Sequence, residues 1–171
     1  TRLRNIVGPL FTKRRAEDHR AGIEGVADRL LERIAAMDPP VDLVETYAMA
    51  LPIHVICDVL ELPLQDAAEL RSWSDAFMSV TAASPADVRA SAKQLRRYAE
   101  ALVNDRRADP RGGILDALIA ASLTDSRAVA DDETVMSRDE LVRMIVGLIV
   151  AGHETTGVVI ARGVLTLLRH P

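Results

Sequence analysis

The chemistry of this 171-residue sequence is concentrated in Ala151-Gly152-His153-Glu154-Thr155-Thr156. A carboxylate, an imidazole and two hydroxyls stand together in a run that is otherwise aliphatic. Gly147, Ala151 and Thr155 recur every four residues, so on a helix they share one face, and the first two are small enough to leave room against it. The Thr155 hydroxyl can bond back to the Ala151 carbonyl or leave that oxygen to a ligand or water; such threonines tend to bend or loosen a helix. With Glu154 beside it, a carboxyl and a hydroxyl border a space in an apolar wall, an arrangement able to deliver protons. The residues alone fit a water-filled kink beside a solvated carboxylate equally well.

Other chemistries fare worse. A zinc-protease reading of His153-Glu154 needs a second histidine one turn on, so that two imidazoles reach one ion, and Gly157 stands there. Cys57 lies among Val55, Ile56 and Val59 and reads as a small core hydrophobe. As the single cysteine it excludes an intrachain disulfide and a multi-cysteine metal site, and it suits a reducing, cytoplasmic compartment. No phosphate-binding or dinucleotide glycine fingerprint occurs, and Gly112-Gly113 reads as a connector. A net charge of −4 argues against a nucleic-acid partner. The locally basic first twenty residues read as a solvated helix face. The apolar run 144–151 is too short to span a bilayer, and His153, Glu154 and Arg162 interrupt the wider segment, so no membrane is expected.

The elements that must hold these residues are helical throughout. From Ser137 to Leu168 there is no proline, and Leu141 to Arg169 is apolar on nearly every side, which predicts a long helix, buried all round. Ser137 and Glu140 form its capping box. Upstream, a helix is expected after Thr12 as N-cap, with Ile23, Val26, Leu30 and Ile34 inward, ending at Asp38-Pro39-Pro40. Val41 to Val44 reads as extended or turn. Pro52 fits the first turn of an apolar helix reaching Leu60. The next helix should place Leu70, Trp73, Phe77 and Val80 on one side. Ser84 and Pro85 open a polar-faced helix with Arg106 and Arg107 directed outward, and an exposed acidic loop is expected over 124–136. Glu17 with Arg20, and Glu140 with Arg143, read as ordinary ion pairs at a spacing of three. With 49% hydrophobic but only 3% aromatic residues, the expected core is aliphatic. The fold class is all-α, seven or eight helices around one long central helix.

Ala151-Gly152-His153-Glu154-Thr155-Thr156 closely resembles the A-G-x-[DE]-T-T signature of the distal helix in haem-thiolate monooxygenases, the cytochrome P-450 family. Thr1-Arg2-Leu3-Arg4 with Phe11-Thr12-Lys13-Arg14-Arg15 is similar to the T-R-L-R…F-T-P-R-R run of bacterial members. Leu51-Pro52-Ile53-His54-Val55-Ile56-Cys57 and Leu60-Glu61-Leu62-Pro63 look like the family's following elements. Trp73-Ser74-Asp75 fits the helix that roofs the substrate pocket. The likeness runs along the whole chain, in order.

The resemblance implies a single partial domain over 1–171, running from the end of helix C, through D to H, to the end of helix I. It implies insertion of one oxygen atom of dioxygen into a small organic substrate, with haem as cofactor and a ferredoxin or flavoprotein as electron donor. Glu154 and Thr155 would be the catalytic acid–alcohol pair relaying protons to haem-bound oxygen. Ala151 and Thr155 would face the haem, Arg4 would meet a propionate, and Gly147, Val150 and Ala151 would border the substrate. The histidine that usually stands four residues before that arginine would precede Thr1. No metal ligand is expected among these residues, since Cys57 does not lie in the phenylalanine- and glycine-rich loop that carries the family's thiolate. Both ends read as internal to a longer protein, and the isolated segment is expected to be inactive and to self-associate. The other class of reading is a non-catalytic helical ligand-binding or assembly module. Titrating the 171-residue chain with haem separates a ligating from a non-ligating segment: no stable thiolate-type absorption band is expected, and such a band would overturn that expectation.

Overall fold

The computed structural model describes residues 2–79, 83–122 and 135–170. Among the described residues eight α-helices follow one another: α1 (Arg2–Val7), α2 (Lys13–Asp18), α3 (Arg20–Ala35), α4 (Ala50–Val59), α5 (Ala67–Met78), α6 (Pro85–Ala108), α7 (Gly113–Ala120) and α8 (Arg138–Arg169). No strand occurs among the described residues. A single bridge joins Ser122 to Met136, bringing the end of α7 beside the start of α8. Val80 and residues 124–134 of the expected acidic loop lie outside the described residues.

Local chemistry starts the helices where hydroxyls and carboxylates can take up free N–H groups. Ser84 with Asp87 and Ser137 with Glu140 form complete capping boxes. Thr12 Oγ1 accepts from the Arg15 N–H at 3.3 Å. The helix expected after Thr12 is divided at His19 into α2 and α3. Of the two readings of Val41 to Val44, extended or turn, the structure takes the turn. Asp42 Oδ1 accepts from the N–H groups of Val44 at 2.8 Å and Glu45 at 3.1 Å, and launches a π-helical turn, Val44–Ala48.

The core is aliphatic: Leu70, Leu95, Leu115, Leu118, Leu141, Ile145 and Ile149 are all fully buried. α8 packs against α4, α5, α6 and the π turn. At the α4 contact a Cβ on Gly152 would lie 2.7 Å from Ile56 Cγ1. At the π turn, a Cβ on Gly157 would lie 3.1 Å from the Ala48 carbonyl and collide with Met49 Sδ. Both glycines serve close helix approach, and together they set the rotation of α8 about its axis.

That rotation corrects the expectation of a helix buried all round. Only one stripe is covered, through Leu141, Val142, Ile145, Ile149, Val150, His153 and Gly157. Beyond it, Val159 is 69% and Leu168 72% exposed. By length and composition α8 is also apolar enough to cross a membrane, contrary to the reading from run length, although part of it is the buried wall of this helical core. Met136, expected in an exposed loop, is fully buried, its N–H donating to the Ala121 carbonyl at 3.0 Å. Phe77, expected on one side with Leu70 and Trp73, is 37% exposed.

The larger correction concerns Arg106, which is 1% exposed rather than directed outward. Its guanidinium bonds Glu61 Oε2 at 2.5 Å, the Glu61 carbonyl at 3.2 Å and Asp116 Oδ2 at 3.3 Å. Glu61 ends α4 with φ +51°, a left-handed conformation that normally favours glycine. The N–H of Leu62 donates to the Cys57 carbonyl at 2.7 Å and that of Glu61 to the Asp58 carbonyl at 3.0 Å, so the end of α4 is a Schellman cap. Arg106 thus fastens an unfavourable cap residue of α4 to α6 and α7. Removing both carboxylates (Glu61→Gln with Asp116→Asn) strands a buried guanidinium and should cost about 3–5 kcal/mol in urea denaturation. Arg106→Met should cost less, about 1–3 kcal/mol, because the half-exposed Glu61 can turn to water.

Candidate active site

A cavity of about 500 Å³ opens between the C-terminal end of α5, the middle of α6 and the centre of α8. Phe77 and Met78 close it from α5, and Ala92 and Arg96 from α6. The α8 wall contains Gly147, Val150, Ala151, Glu154 and Thr155, so five of the six residues singled out in the sequence meet in one space. A Cβ on Gly147 would touch nothing within 4 Å, and Ala151 and Thr155 are exposed, which leaves this face of α8 open and nearly flat. Thr155 Oγ1 donates to the Ala151 carbonyl at 3.0 Å, and Thr156 Oγ1 to that of Gly152 at 3.4 Å. The helix runs unbroken through both, so the expected local loosening is not found here.

Arg4 stands apart. It is exposed on α1, outside the cavity wall, and pairs with no carboxylate among the described residues. Its neighbour Arg2 ties α1 to the first turn of α8 by bonding Glu140 and the Val135 carbonyl. Of the two ion pairs expected at a spacing of three, Glu17–Arg20 forms. Glu140 instead pairs with Arg2, and Arg143 with Asp139 one helical turn earlier.

Behind the cavity α5 meets α8 through three polar side chains. Ligating atoms of Asp75, His153 and Glu154 all lie within 4.8 Å of one another. His153, whose only role in the sequence reading was the rejected zinc motif, is fully buried. Its Nδ1 is 2.7 Å from the Ile149 carbonyl, and a carbonyl can only accept, so Nδ1 carries the proton. The Nε2 lone pair is then buried without a hydrogen-bond partner among the described residues. The signal for burial lay in the spacing: Ile149, His153 and Gly157 share one face, opposite Thr155.

Burial holds His153 below the usual histidine range, with the Arg71 guanidinium adding to the effect against the Ile149 hydrogen bond and the charge of Asp75. Glu154 moves the other way. Burial pushes its carboxyl up, and a hydrogen bond with Asp75 and the Asp75 charge push further, against Arg71. Arg71 Nε is 3.6 Å from Asp75 Oδ2, and its terminal nitrogen is 2.8 Å from Glu45 Oε2. A cation is therefore already seated beside the carboxylates as a guanidinium, which argues against reading the cluster as a metal centre. Cys57 is 1% exposed. Burial, with Asp66 nearby, pushes its thiol up to about 11, so it is inert at neutral pH.

Known proteins give the arrangement a context. The family model for cytochrome P450 matches residues 72–171, which contain most of α5 and all of α6 to α8. The chain is 38% identical to the vitamin D(3) 25-hydroxylase of Pseudonocardia autotrophica, across all of this chain and 40% of that protein. It is 34% identical to the mycinamicin IV hydroxylase/epoxidase of Micromonospora griseorubida, across all of this chain and 41% of that one. The cytochrome P450 PksS of Bacillus subtilis 168 superposes with a TM-score of 0.85 at 28% identity, over 99% of this chain and 41% of the other. The chain therefore spans about two-fifths of the length of the curated relatives it matches. With the acid–alcohol helix, the open face above it and relatives aligned along its whole length, the chain belongs to the cytochrome P450 family, whose members are haem monooxygenases.

Proposed function

We propose that this chain forms the distal wall, one partial domain, of a haem-thiolate monooxygenase that inserts one atom of dioxygen into a small, largely apolar organic substrate. The observation that carries this reading is the single cavity joining Gly147, Val150 and Ala151 to Glu154 and Thr155. The residues fit the cofactor: an open face of small residues accepts a flat apolar ring pressed against the helix, which a side chain at Gly147 would obstruct. Haem, when bound, supplies the capture and reduction of dioxygen. Ala151 and Thr155 would face it, and Arg4, a free guanidinium among the described residues, suits a propionate.

The chain's own part is binding and proton delivery. Val150 and Ala151, with Phe77 and Met78 opposite, form an apolar surface that holds substrate and excludes water. Glu154, pushed upward by burial and Asp75, holds its proton more readily than an exposed carboxylate and so suits the role of an acid. Thr155 Oγ1 has acceptor capacity left while it donates to the Ala151 carbonyl. By turning away from that carbonyl it can pass a proton into the cavity and take another from the direction of Glu154. Electrons would come from a ferredoxin or flavoprotein in the cytoplasm. By itself the segment is inactive on this reading, since Cys57, its one cysteine, is buried and protonated.

In a full-length protein carrying this segment, Glu154→Gln should lower substrate turnover by about 10²-fold or more, with little change in substrate affinity. Thr155→Ala should lower product formed per dioxygen consumed more than it lowers dioxygen consumption. Unchanged turnover and coupling in both variants would overturn the proposal. The bare apolar stripe of Val158, Val159, Leu165, Leu167 and Leu168 should drive the isolated chain to self-associate. Light scattering across a concentration series is expected to show a rising mass, and a constant monomer mass would refute this.

A further inference from the structure

We propose that Trp73, Tyr98 and Asp66 form a one-electron relay: an oxidised Trp73 draws an electron from Tyr98, whose phenolic proton passes to Asp66, and oxidising equivalents that stray from the cavity are carried away from it. Only the source of those equivalents rests on the reading of the cavity as an oxygen-activating site. Aromatic side chains are scarce here, with one tryptophan and two tyrosines in 171 residues. Yet the tryptophan of α5 and one tyrosine of α6 stand against each other, ring centroids 6.2 Å apart and planes at 61°. Both are half-buried against the aliphatic core. Leucine, valine and isoleucine do not give up an electron readily, so an indole and a phenol in contact are the place where one is lost. On α5, Trp73 precedes Phe77 by four residues and so lies one turn behind a residue that closes the cavity.

Asp66 distinguishes the pair from packing alone. Tyr98 Oη donates at 2.7 Å to Asp66 Oδ2, which stands in the short 3-10 turn Leu64–Asp66 ahead of α5. A phenol loses an electron far more easily when its proton can leave at the same time, and the carboxylate is at hydrogen-bond distance to take it. Burial, with the hydrogen bond and charge of Asp66, raises the Tyr98 phenol, so it is the neutral donor that the step requires. The step balances. An oxygen-derived one-electron oxidant, which the chemistry proposed for the cavity supplies, takes an electron from Trp73 and leaves an indole radical cation. One electron then passes from Tyr98 to the indole, and one proton from Tyr98 to Asp66. The products are neutral tryptophan, a neutral phenoxyl radical and a neutral carboxylic acid, so no net charge is created beside the core. A soluble thiol that gives up one hydrogen atom restores the phenol, and Asp66 returns its proton to water.

Pulse radiolysis of the 171-residue chain with azide radical, which oxidises indole in preference to phenol at neutral pH, tests the relay without cofactor. With a single tryptophan the starting point is defined. The visible band of the indole radical should decay as the phenoxyl band grows, with one first-order rate constant independent of protein concentration. Tyr98→Phe should abolish the phenoxyl growth, and Tyr47→Phe should leave it unchanged. Asp66→Asn, which keeps an acceptor but cannot take the proton, should slow the growth by about tenfold or more, the worth of a hydrogen bond to a charged group. Absent growth, growth that survives Tyr98→Phe, or an unchanged rate in folded Asp66→Asn would overturn the proposal. If Asp66→Asn does not fold, slower transfer in heavy water is expected of the unaltered chain, and an equal rate there would overturn the proton step. In a longer protein carrying this segment, Tyr98→Phe should inactivate after fewer turnovers, and equal lifetimes would reject the protective role. Unchanged turnover and coupling in the Glu154 and Thr155 variants, alongside the expected radical transfer, would reject the reading of the cavity and leave the relay standing.

Discussion

The rotational setting of α8 governs everything else in this structure. Gly152 lets the helix close on Ile56 of α4, and Gly157 lets it close on Ala48 and Met49 of the π turn. A helix pinned at two such points cannot turn about its axis without a clash of the kind that close-packed interiors do not absorb. The pinning sends His153 inward and leaves Gly147, Ala151 and Thr155 facing open space. Had α8 been rotated by half a turn, the imidazole would border the cavity and the hydroxyl would be buried. The apolar residues of the helix supply adhesion, but they occupy so many faces that they cannot choose among orientations. The two glycines make that choice.

Against this aliphatic background the few buried polar groups carry the architecture. Arg106 gathers Glu61, Asp116 and a backbone carbonyl, and so joins the end of α4 to α6 and α7. It also secures a left-handed residue that is not glycine. The cluster behind the cavity works on the same principle with smaller charges. Arg71, Asp75, His153 and Glu154 bring α5 onto α8, and the low polarity around them moves the imidazole and the carboxyl in opposite directions. An aliphatic wall thus does two things at once: it lines the cavity, and it raises the carboxyl beside it, so that Glu154 holds its proton more readily than in water.

Much of this was legible in residue types and spacing. The all-helical class, the cap at Ser84, the capping box at Ser137 and the connector at Gly112-Gly113 follow from local chemistry, because a cap or a helix face depends on residues three or four apart. The grouping of Gly147, Ala151 and Thr155 on one face likewise needs only helical periodicity. What the chain by itself could not determine lies between elements distant in sequence. Arg106 has an ordinary place on a polar helix, and its burial comes from Glu61 and Asp116, which folding brings to it. Asp75 becomes Glu154's neighbour only when α5 packs on α8. His153 is polar by type, and only the packing of α8 against its neighbours makes it a core residue. Periodicity reports which residues share a face; which face is covered, and by whose charges, is decided by packing, and packing is a property of the whole fold.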